Sequence, residues 1–326
     1  MLEEFDFIRS IKPDFYRQSS VVKGIGDDAA IVRHTNKDII TTVDTMVENV
    51  HFSSKTTEPF HIGYRALAAN ISDIAAMGGM PTSYVVSIAI PDSWSADELQ
   101  EIYHGMDDLA KVFNMDLIGG DTVSGEQLVL SITVLGTVLK GKARYRSDAQ
   151  EHDIIFVTGT LGDAACGLHI LLNASQTDRE KYRYFIDRHR MPMPRVSFIN
   201  QCEAIKRLSL NDISDGIANE ANEIAVASDK TLLIEYNKVP SHPQLSNFSS
   251  EQQFNWMLSG GEDFELIGTV SEKDWEQLET IAMKTNTKIS AIGTVRNDLK
   301  KNGTVWLQHN HESNRLKKSG YTHLRR

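Results

Sequence analysis

The sequence predicts a two-domain α/β protein in which strands and helices alternate through both halves. Three observations carry that prediction. Short β-branched runs recur between segments whose apolar residues fall at helical spacing. The alternation restarts after the polar stretch Ser147-Asp148-Ala149-Gln150-Glu151-His152-Asp153, which reads as a boundary near residues 147–151. At 326 residues the chain is long enough for two ordinary domains, each with its own core. We expect domains spanning 1–148 and 149–326.

In the first half, residues 39–43 form a strand that delivers Asp44 at its end. Residues 62–78 place Leu67, Ile71, Ile74 and Ala75 at helical spacing, and their Ala-rich turns permit close packing. Residues 83–90 read as a strand stopped by Pro91-Asp92. Ser95 is the predicted N-cap of a helix running to about Phe113, with Glu98 in the capping-box position. Leu117-Ile118 leads into Gly119-Gly120-Asp121. Residues 128–139 form a long β-rich run, followed by the basic segment 140–146.

In the second half, residues 154–158 are a strand and 159–162 a turn, after which Asp163 opens a helix. Further helices are expected around 179–189, 195–207 and 217–228, and a strand at 231–236. Strands at 265–270 and 289–295 flank a helix at 272–284. There is no short-period repeat and no low-complexity tract.

Hydrophobic content of 40% and charged content of 24% are those of a soluble globular protein. The net charge of −10, with no compensating basic block, argues against nonspecific nucleic-acid binding. An anionic nucleotide stays open, because a bound cation reverses the local sign. Cys166 and Cys202 have no partner at metal-ligand spacing and read as two buried thiols. No apolar run approaches the ~18 residues needed to span a bilayer. The acidic start lacks the basic and apolar regions of a signal peptide, so a cytoplasmic protein with no membrane association is expected.

The chemistry lies in the acids. Asp27 and Asp28 in G-I-G-D-D, Asp44 in T-V-D-T, Asp121 in G-G-D-T, and Asp212 and Asp215 in D-I-S-D-G sit at glycine turns or strand ends. Asp73 adds a seventh, one helical turn after Asn70 and in apolar company that asks for a partner. Such carboxylates cannot converge uncompensated, since like charges raise one another's pKa. A hard divalent cation takes oxygen ligands and bridges carboxylate to phosphate. The pattern points to a metal-dependent, phosphate-handling enzyme.

Other motifs carry less. Gly24-Ile25-Gly26-Asp27-Asp28-Ala29 fits the dinucleotide fingerprint formally, but residues 29–32 continue as strand, and two carboxylates would face the pyrophosphate. Residues 136–143 miss the P-loop for want of its Ser/Thr, and 137–139 belong to a strand. Gly159-Thr160-Leu161-Gly162 reads as an ordinary connection capped by Asp163. A helix N-cap at Ser214 or Asp215 explains one acid of D-I-S-D-G but not two. Gly260-Gly261-Glu262-Asp263 is another acidic turn, entering the strand at 265–270. On residue type alone, His51 suits a structural role as well as a catalytic one, and Arg146 a solvated position as well as a phosphate contact. No Ser-His-Asp or Cys-His set and no H-E-x-x-H is present, so nothing supports covalent catalysis.

Taken in order, G-I-G-D-D-A-A, T-V-D-T-M-V-E-N-V-H-F, N-I-S-D-I-A-A-M-G, L-I-G-G-D-T, D-I-S-D-G and L-S-G-G-E-D-F-E resemble the thiamine-monophosphate kinase family. The match runs from residue 24 to Gly320-Tyr321. Single motifs are shared with aminoimidazole ribonucleotide synthetase and selenophosphate synthetase; His51 and G-G-E-D-F-E narrow the resemblance to the kinase. It implies a two-domain aminoimidazole ribonucleotide synthetase-like α/β (α+β) fold, with N-terminal sheets pairing across a homodimer. It implies transfer of the ATP γ-phosphoryl group to thiamine monophosphate, giving thiamine diphosphate and ADP.

Carried over position by position, the resemblance makes Asp28, Thr42, Asp44, Asp73, Asp121 and Asp212 magnesium ligands, with Val43 offering backbone and Asp215 a further contact. Asp27 stands behind them. Tyr103, Gly120, Asp121, Arg146 and Ser214 become ATP contacts, and His51, Glu262 and Tyr321 thiamine phosphate contacts. Two departures bear on this: Asp148 stands where the family has a turn glycine, and His104 follows Tyr103. Another ligase of the superfamily, or a non-catalytic nucleotide or thiamine-phosphate sensor, are the competing readings. The acceptor phosphate is already ionised, so the chemistry needs no strong base. What it needs is several magnesium ions to overcome repulsion between two polyanions during direct in-line transfer.

Overall fold

The computed structural model describes residues 11–23, 31–33, 36–298 and 300–320. The chain divides into two compact units, Met1–Ile74 with Gly79–Gly141, and Ala75–Gly78 with Lys142–Arg326.

In the first unit, β1 (Val21–Lys23) and β2 (Ile31–Val32) form a small antiparallel pair. There follow β3 (Lys37–Val47), α1 (Pro59–Ala76), β4 (Met80–Ile90), α2 (Ala96–Phe113), β5 (Asp116–Ser124) and β6 (Val129–Leu139). The four long strands make one sheet in the order β3-β6-β4-β5, antiparallel except for β4 with β5. That parallel pair needs a crossover, and α2 supplies it. Along β3 the period-two alternation turns Ile40, Thr42, Asp44 and Met46 inward and Thr41, Val43 and Thr45 to solvent.

Helix α1 opens on Pro59, whose missing N–H costs nothing at a first helical position. Small residues let α1 and α2 cross backbone to backbone. A Cβ on Gly63 would stand 1.8 Å from the Ile102 carbonyl, and one on Gly105 would stand 1.8 Å from that of Phe60. Helix α2 starts at the expected capping box of Ser95 and Glu98 and ends on Asn114 in the left-handed conformation.

Two aspartates sit differently from expectation. Pairing of β3 with β6 continues to Val47 opposite Val129, so Asp44 lies within the strand, not at its end. Pairing of β4 with β5 likewise continues to Ser124, so Asp121 is a mid-strand residue and Gly119-Gly120 is no turn.

The second unit holds β7 (Ile154–Thr158), α3 (Asp163–Asn173), α4 (Gln176–Lys181), α5 (Arg183–Arg190), α6 (Val196–Asn200), β8 (Leu208–Ile213) and α7 (Ile217–Ser228). It continues with β9 (Thr231–Glu235), α8 (Ser250–Ser259), β10 (Glu265–Val270), α9 (Trp275–Lys284), β11 (Ile289–Arg296), β12 (Thr304–His309) and β13 (Glu312–Leu316). The sheet runs β13-β12-β9-β11-β7-β10-β8, and only β12 with β9 is parallel. Its core gathers Ile155, Val157, Phe185, Ile213, Ile224 and Leu232 with their neighbours.

The helix expected at 195–207 stops early: α6 gives way to a 3-10 turn over Gln201–Ala204. The Arg144 guanidinium takes the carbonyls that end it, Nη2 donating to Cys202 O at 2.9 Å and to Ile205 O at 2.6 Å. Cys166 and Cys202 are both buried free thiols. Among the described residues no helix is long and apolar enough to cross a membrane.

Candidate active site

In the first unit, the inward face of β3 meets the last turns of α1. The Thr42 hydroxyl donates to Asp73 Oδ2 at 2.6 Å. One turn earlier, the fully buried Asn70 accepts the Asp44 N–H on Oδ1 at 3.1 Å, while its Nδ2 donates to Ala66 O at 3.1 Å. Asn70 thus fixes the backbone that carries Asp44. Val43, between Thr42 and Asp44, turns its side chain outward with 59% exposure.

Asp121 lies on β5 opposite Ser87, at the far edge of the sheet from Asp44. Three strand spacings separate them, roughly 14 Å along the sheet. Gly120 is demanded by the sheet itself, since a Cβ there would stand 2.1 Å from the Val86 carbonyl.

His51 Nδ1 accepts the Val47 N–H at 3.0 Å, which puts the ring proton of the neutral imidazole on Nε2. The His51 carbonyl is held by Arg65 Nη1 at 3.1 Å, and Arg65 is itself buried. Tyr103, 8% exposed, lines a cavity of about 420 Å³ with Phe15, Arg17, Tyr84, Gln100 and Asp107. Burial pushes its phenol upward. His104 pairs with Glu101 at 3.0 Å on exposed helix surface.

In the second unit, Asp212 is buried near the end of β8, and Ser214 and Asp215 follow in the loop. The N-cap of α7 is Gly216, with no side-chain cap, so neither Ser214 nor Asp215 serves the helix that follows. Capping is therefore not why the second acid is there. Arg146 reaches this loop through a chain of hydrogen bonds. Its Nε donates to Asn211 Oδ1 at 2.9 Å, Asn211 Nδ2 to Glu220 Oε2 at 2.5 Å, and the Asp215 N–H to Glu220 Oε1 at 3.2 Å.

Burial first, then the Asp215 carboxylate, push Glu220 up to about 7. The Arg146 carbonyl accepts from Ser209 Oγ at 3.0 Å and Ser228 Oγ at 2.7 Å. Asp148, in its turn-glycine position, closes the turn by accepting the Tyr145 N–H at 3.3 Å. Asn211 and Glu220 escaped the reading of the sequence. Nothing local marks them: Asn211 stands beside Asp212, and Glu220 among Asn219, Asn222 and Glu223, so neither interrupts an apolar run.

The Glu262 N–H donates to Ser214 O at 2.7 Å, joining the acidic turn to the D-I-S-D-G loop. The backbone of Gly320 packs on the same loop: a Cβ on it would stand 1.8 Å from Asp215 O. Asp163 does not cap α3. It is the first helical residue, and the N–H groups of Gly162 and Ala164 donate instead to Asp263, at 2.7 and 2.9 Å. Asp27, Asp28 and Tyr321 lie outside the described residues.

The donors that could take a metal are oxygens throughout: the Thr42 hydroxyl, the Val43 carbonyl and the carboxylates of Asp44, Asp73, Asp121, Asp212 and Asp215. That set fits a hard cation such as magnesium and not a thiophilic one. Among the described residues no three His, Cys, Asp or Glu side chains stand together as a ready cation cage.

Residues 26–138 match the family described as AIR synthase related protein, N-terminal domain, and residues 150–305 match AIR synthase related protein, C-terminal domain. The chain is 47% identical over 329 residues to the thiamine-monophosphate kinase of Bacillus subtilis (strain 168), covering 99% of this chain and 100% of the relative. The crystal structure of thiamine-monophosphate kinase from Stenotrophomonas maltophilia K279a superposes with a TM-score of 0.83 at 30% identity, covering 96% of each chain. The structure of AaThiL complexed with AMPPCP and TMP superposes with a TM-score of 0.77 at 26% identity, covering 98% of this chain and 97% of that one.

Proposed function

The chain belongs to the thiamine-monophosphate kinase family, and from that premise we propose how its residues share out the reaction. The enzyme transfers a phosphoryl group from ATP to thiamine monophosphate, giving thiamine diphosphate. In our reading the transfer is direct and in line, with no phosphoenzyme. The observation that carries this reading is the 2.6 Å bond between Thr42 and Asp73, which holds two hard oxygen donors side by side.

Asp28, Thr42, Asp44, Asp73, Asp121, Asp212 and Asp215, with the Val43 carbonyl, are the proposed magnesium ligands. Bound there, magnesium supplies charge neutralisation between two anionic reactants. Ligands on opposite edges of one sheet support more than one ion. Arg146, braced through Asn211, offers its guanidinium to a nucleotide phosphate, beside Ser214. Gly120 and Tyr103 complete the ATP contacts. His51, with its proton on Nε2, donates to thiamine monophosphate; Glu262 and Tyr321 hold the same substrate. A carboxylate suits a thiazolium, which is a cation.

Residues 1–148 are the proposed nucleotide and dimerisation domain, and 149–326 the synthetase-like domain. A homodimer built on the N-terminal sheets is supported by β3, an edge strand that leaves Ile39 and Val43 each 59% exposed.

The test is an assay of ATP, magnesium and thiamine monophosphate with products identified by mass. Thiamine diphosphate and ADP should form one for one, and only with magnesium. A stable phosphorylated protein during turnover contradicts direct transfer.

A further inference from the structure

Glu262 stands on a turn whose backbone is unfavourable for its residues. Glu262 has φ +69° and Phe264 has φ +48°, on either side of Asp263. Every other non-glycine residue at positive φ among the described residues is Asn, Asp or His, types that tolerate the left-handed region. A conformation of this kind persists only where surrounding structure over-determines it.

The restraints are specific. The Glu262 N–H donates to Ser214 O at 2.7 Å and the Phe264 N–H to Ile213 O at 3.0 Å. The Asp263 carboxylate is pinned by the N–H groups of Gly162 and Ala164 at 2.7 and 2.9 Å. Arg188, at the end of α5, grips the turn's own backbone. Its Nη2 donates to Asp263 O at 3.1 Å and to Glu265 Oε1 at 2.8 Å, spanning the turn and the strand it enters.

Arg188 is itself aimed. Its Nε stands 3.6 Å from Asp163 Oδ2, and Glu265 is held from the other side by Arg195 and by the Thr158 hydroxyl at 2.7 Å. The next residue, His189, places Nδ1 3.8 Å from Glu262 Oε2. The last turn of α5 therefore meets the Glu262 turn at three points, two of them through Arg188.

We propose that Arg188 is a positioning residue for the thiamine phosphate half of the reaction: it holds the Asp263 carbonyl and Glu265 so that the strained turn presents Glu262 to the substrate. This rests on the reading of Glu262 as a thiamine phosphate contact. Without the guanidinium fork, the Asp263 carbonyl and the Glu265 carboxylate lose a shared donor, and the turn relaxes toward ordinary backbone angles. Glu262 then points elsewhere, while Arg146 and its hydrogen-bond chain stay as they are.

The experiment is a double-mutant cycle on the full-length enzyme, with Arg188→Gln, Glu262→Gln and the double variant, read as separate KM values for thiamine monophosphate and ATP. Arg188→Gln should raise the KM for thiamine monophosphate by about tenfold, leaving that for ATP unchanged. Adding it to Glu262→Gln should change nothing further. Arg188→Lys, which keeps the charge but not the fork, should recover part of the loss, and it carries the same cycle if Arg188→Gln does not fold by circular dichroism.

Tyr184→Phe removes a 2.8 Å hydrogen bond to Asp163 in the same polar network without touching the turn, and should behave as wild type. Independent, multiplicative effects in the double variant overturn the proposal. So does a rise in both KM values together, or a Tyr184→Phe effect equal to that at Arg188. If Glu262→Gln leaves the thiamine monophosphate KM unchanged, the reading of Glu262 fails first and takes the proposal with it.

Discussion

The Thr42 hydroxyl donates a 2.6 Å hydrogen bond to Asp73 Oδ2, tying an edge strand to the helix packed behind it. In the proposed site this hydroxyl both orients a ligand carboxylate and serves as a ligand, so it should matter for metal affinity. Thr42→Val should raise the magnesium concentration for half-maximal activity by roughly 10–100-fold, with Thr42→Ser close to wild type. Magnesium titration of ADP formation checks this, and unchanged half-saturation in Thr42→Val would remove the residue from the metal site.

Asn70 acts on Asp44 through the backbone. Its replacement by Ala leaves the Asp44 N–H without the bond it now makes to Oδ1, in a side-chain site that is fully buried. The expected cost is about 1–3 kcal/mol of stability, together with slower turnover because Asp44 shifts. Chemical denaturation and a rate measurement on the same preparation test both halves; a wild-type rate would show that the backbone there needs no brace.

Local signals were legible where the cause was local. The capping box of Ser95 and Glu98 lies within four residues, and both its hydrogen bonds are present. The placement of Asp44 and Asp121 was not legible, because where a strand ends is decided by a partner strand far along the chain. The same reason hid the cap of α3: Asp263 reaches Gly162 and Ala164 from about a hundred residues away. Arg144 cut short the helix after Val196 by taking its carbonyls, which no periodicity in residues 195–207 foretells. Among the proposed site residues, Thr42, Asp73 and Arg146 were named from motif and resemblance. Asn211 and Glu220, which brace Arg146, and Arg188, which holds the Glu262 turn, were not, since a buried polar side chain declares its role only through its partner.

Stability should depend on pH through the acids beneath the Glu262 turn. Burial, with Asp163 beside it, pushes Asp263 up to about 8. An unfolded chain releases the same proton near pH ~4. Between those values the folded state binds more protons than the unfolded one, so this group's contribution to stability falls as pH rises from about 4 to about 8. Thermal unfolding of wild type and Asp263→Asn across that window checks it. The wild type should lose more stability on going up in pH than the variant, and parallel curves would contradict the assignment.

Cys166 offers a contrast. It is fully buried in the second unit's apolar core with Ile170 and Phe185. Cys166→Ala should cost on the order of 1 kcal/mol and leave turnover unchanged. A large fall in rate without loss of stability would give the thiol a part in the chemistry that nothing here assigns.

In the proposed mechanism the aspartate ligands hold magnesium for transfer from ATP to thiamine monophosphate. The most direct measurement is thiamine diphosphate formation titrated with magnesium, in wild type, Asp44→Asn, Asp73→Asn and Asp212→Asn. The account predicts that each substitution lowers turnover by about 10²–10³-fold and moves magnesium half-saturation upward, with melting temperatures near wild type. Wild-type titration curves for Asp73→Asn and Asp212→Asn would contradict it.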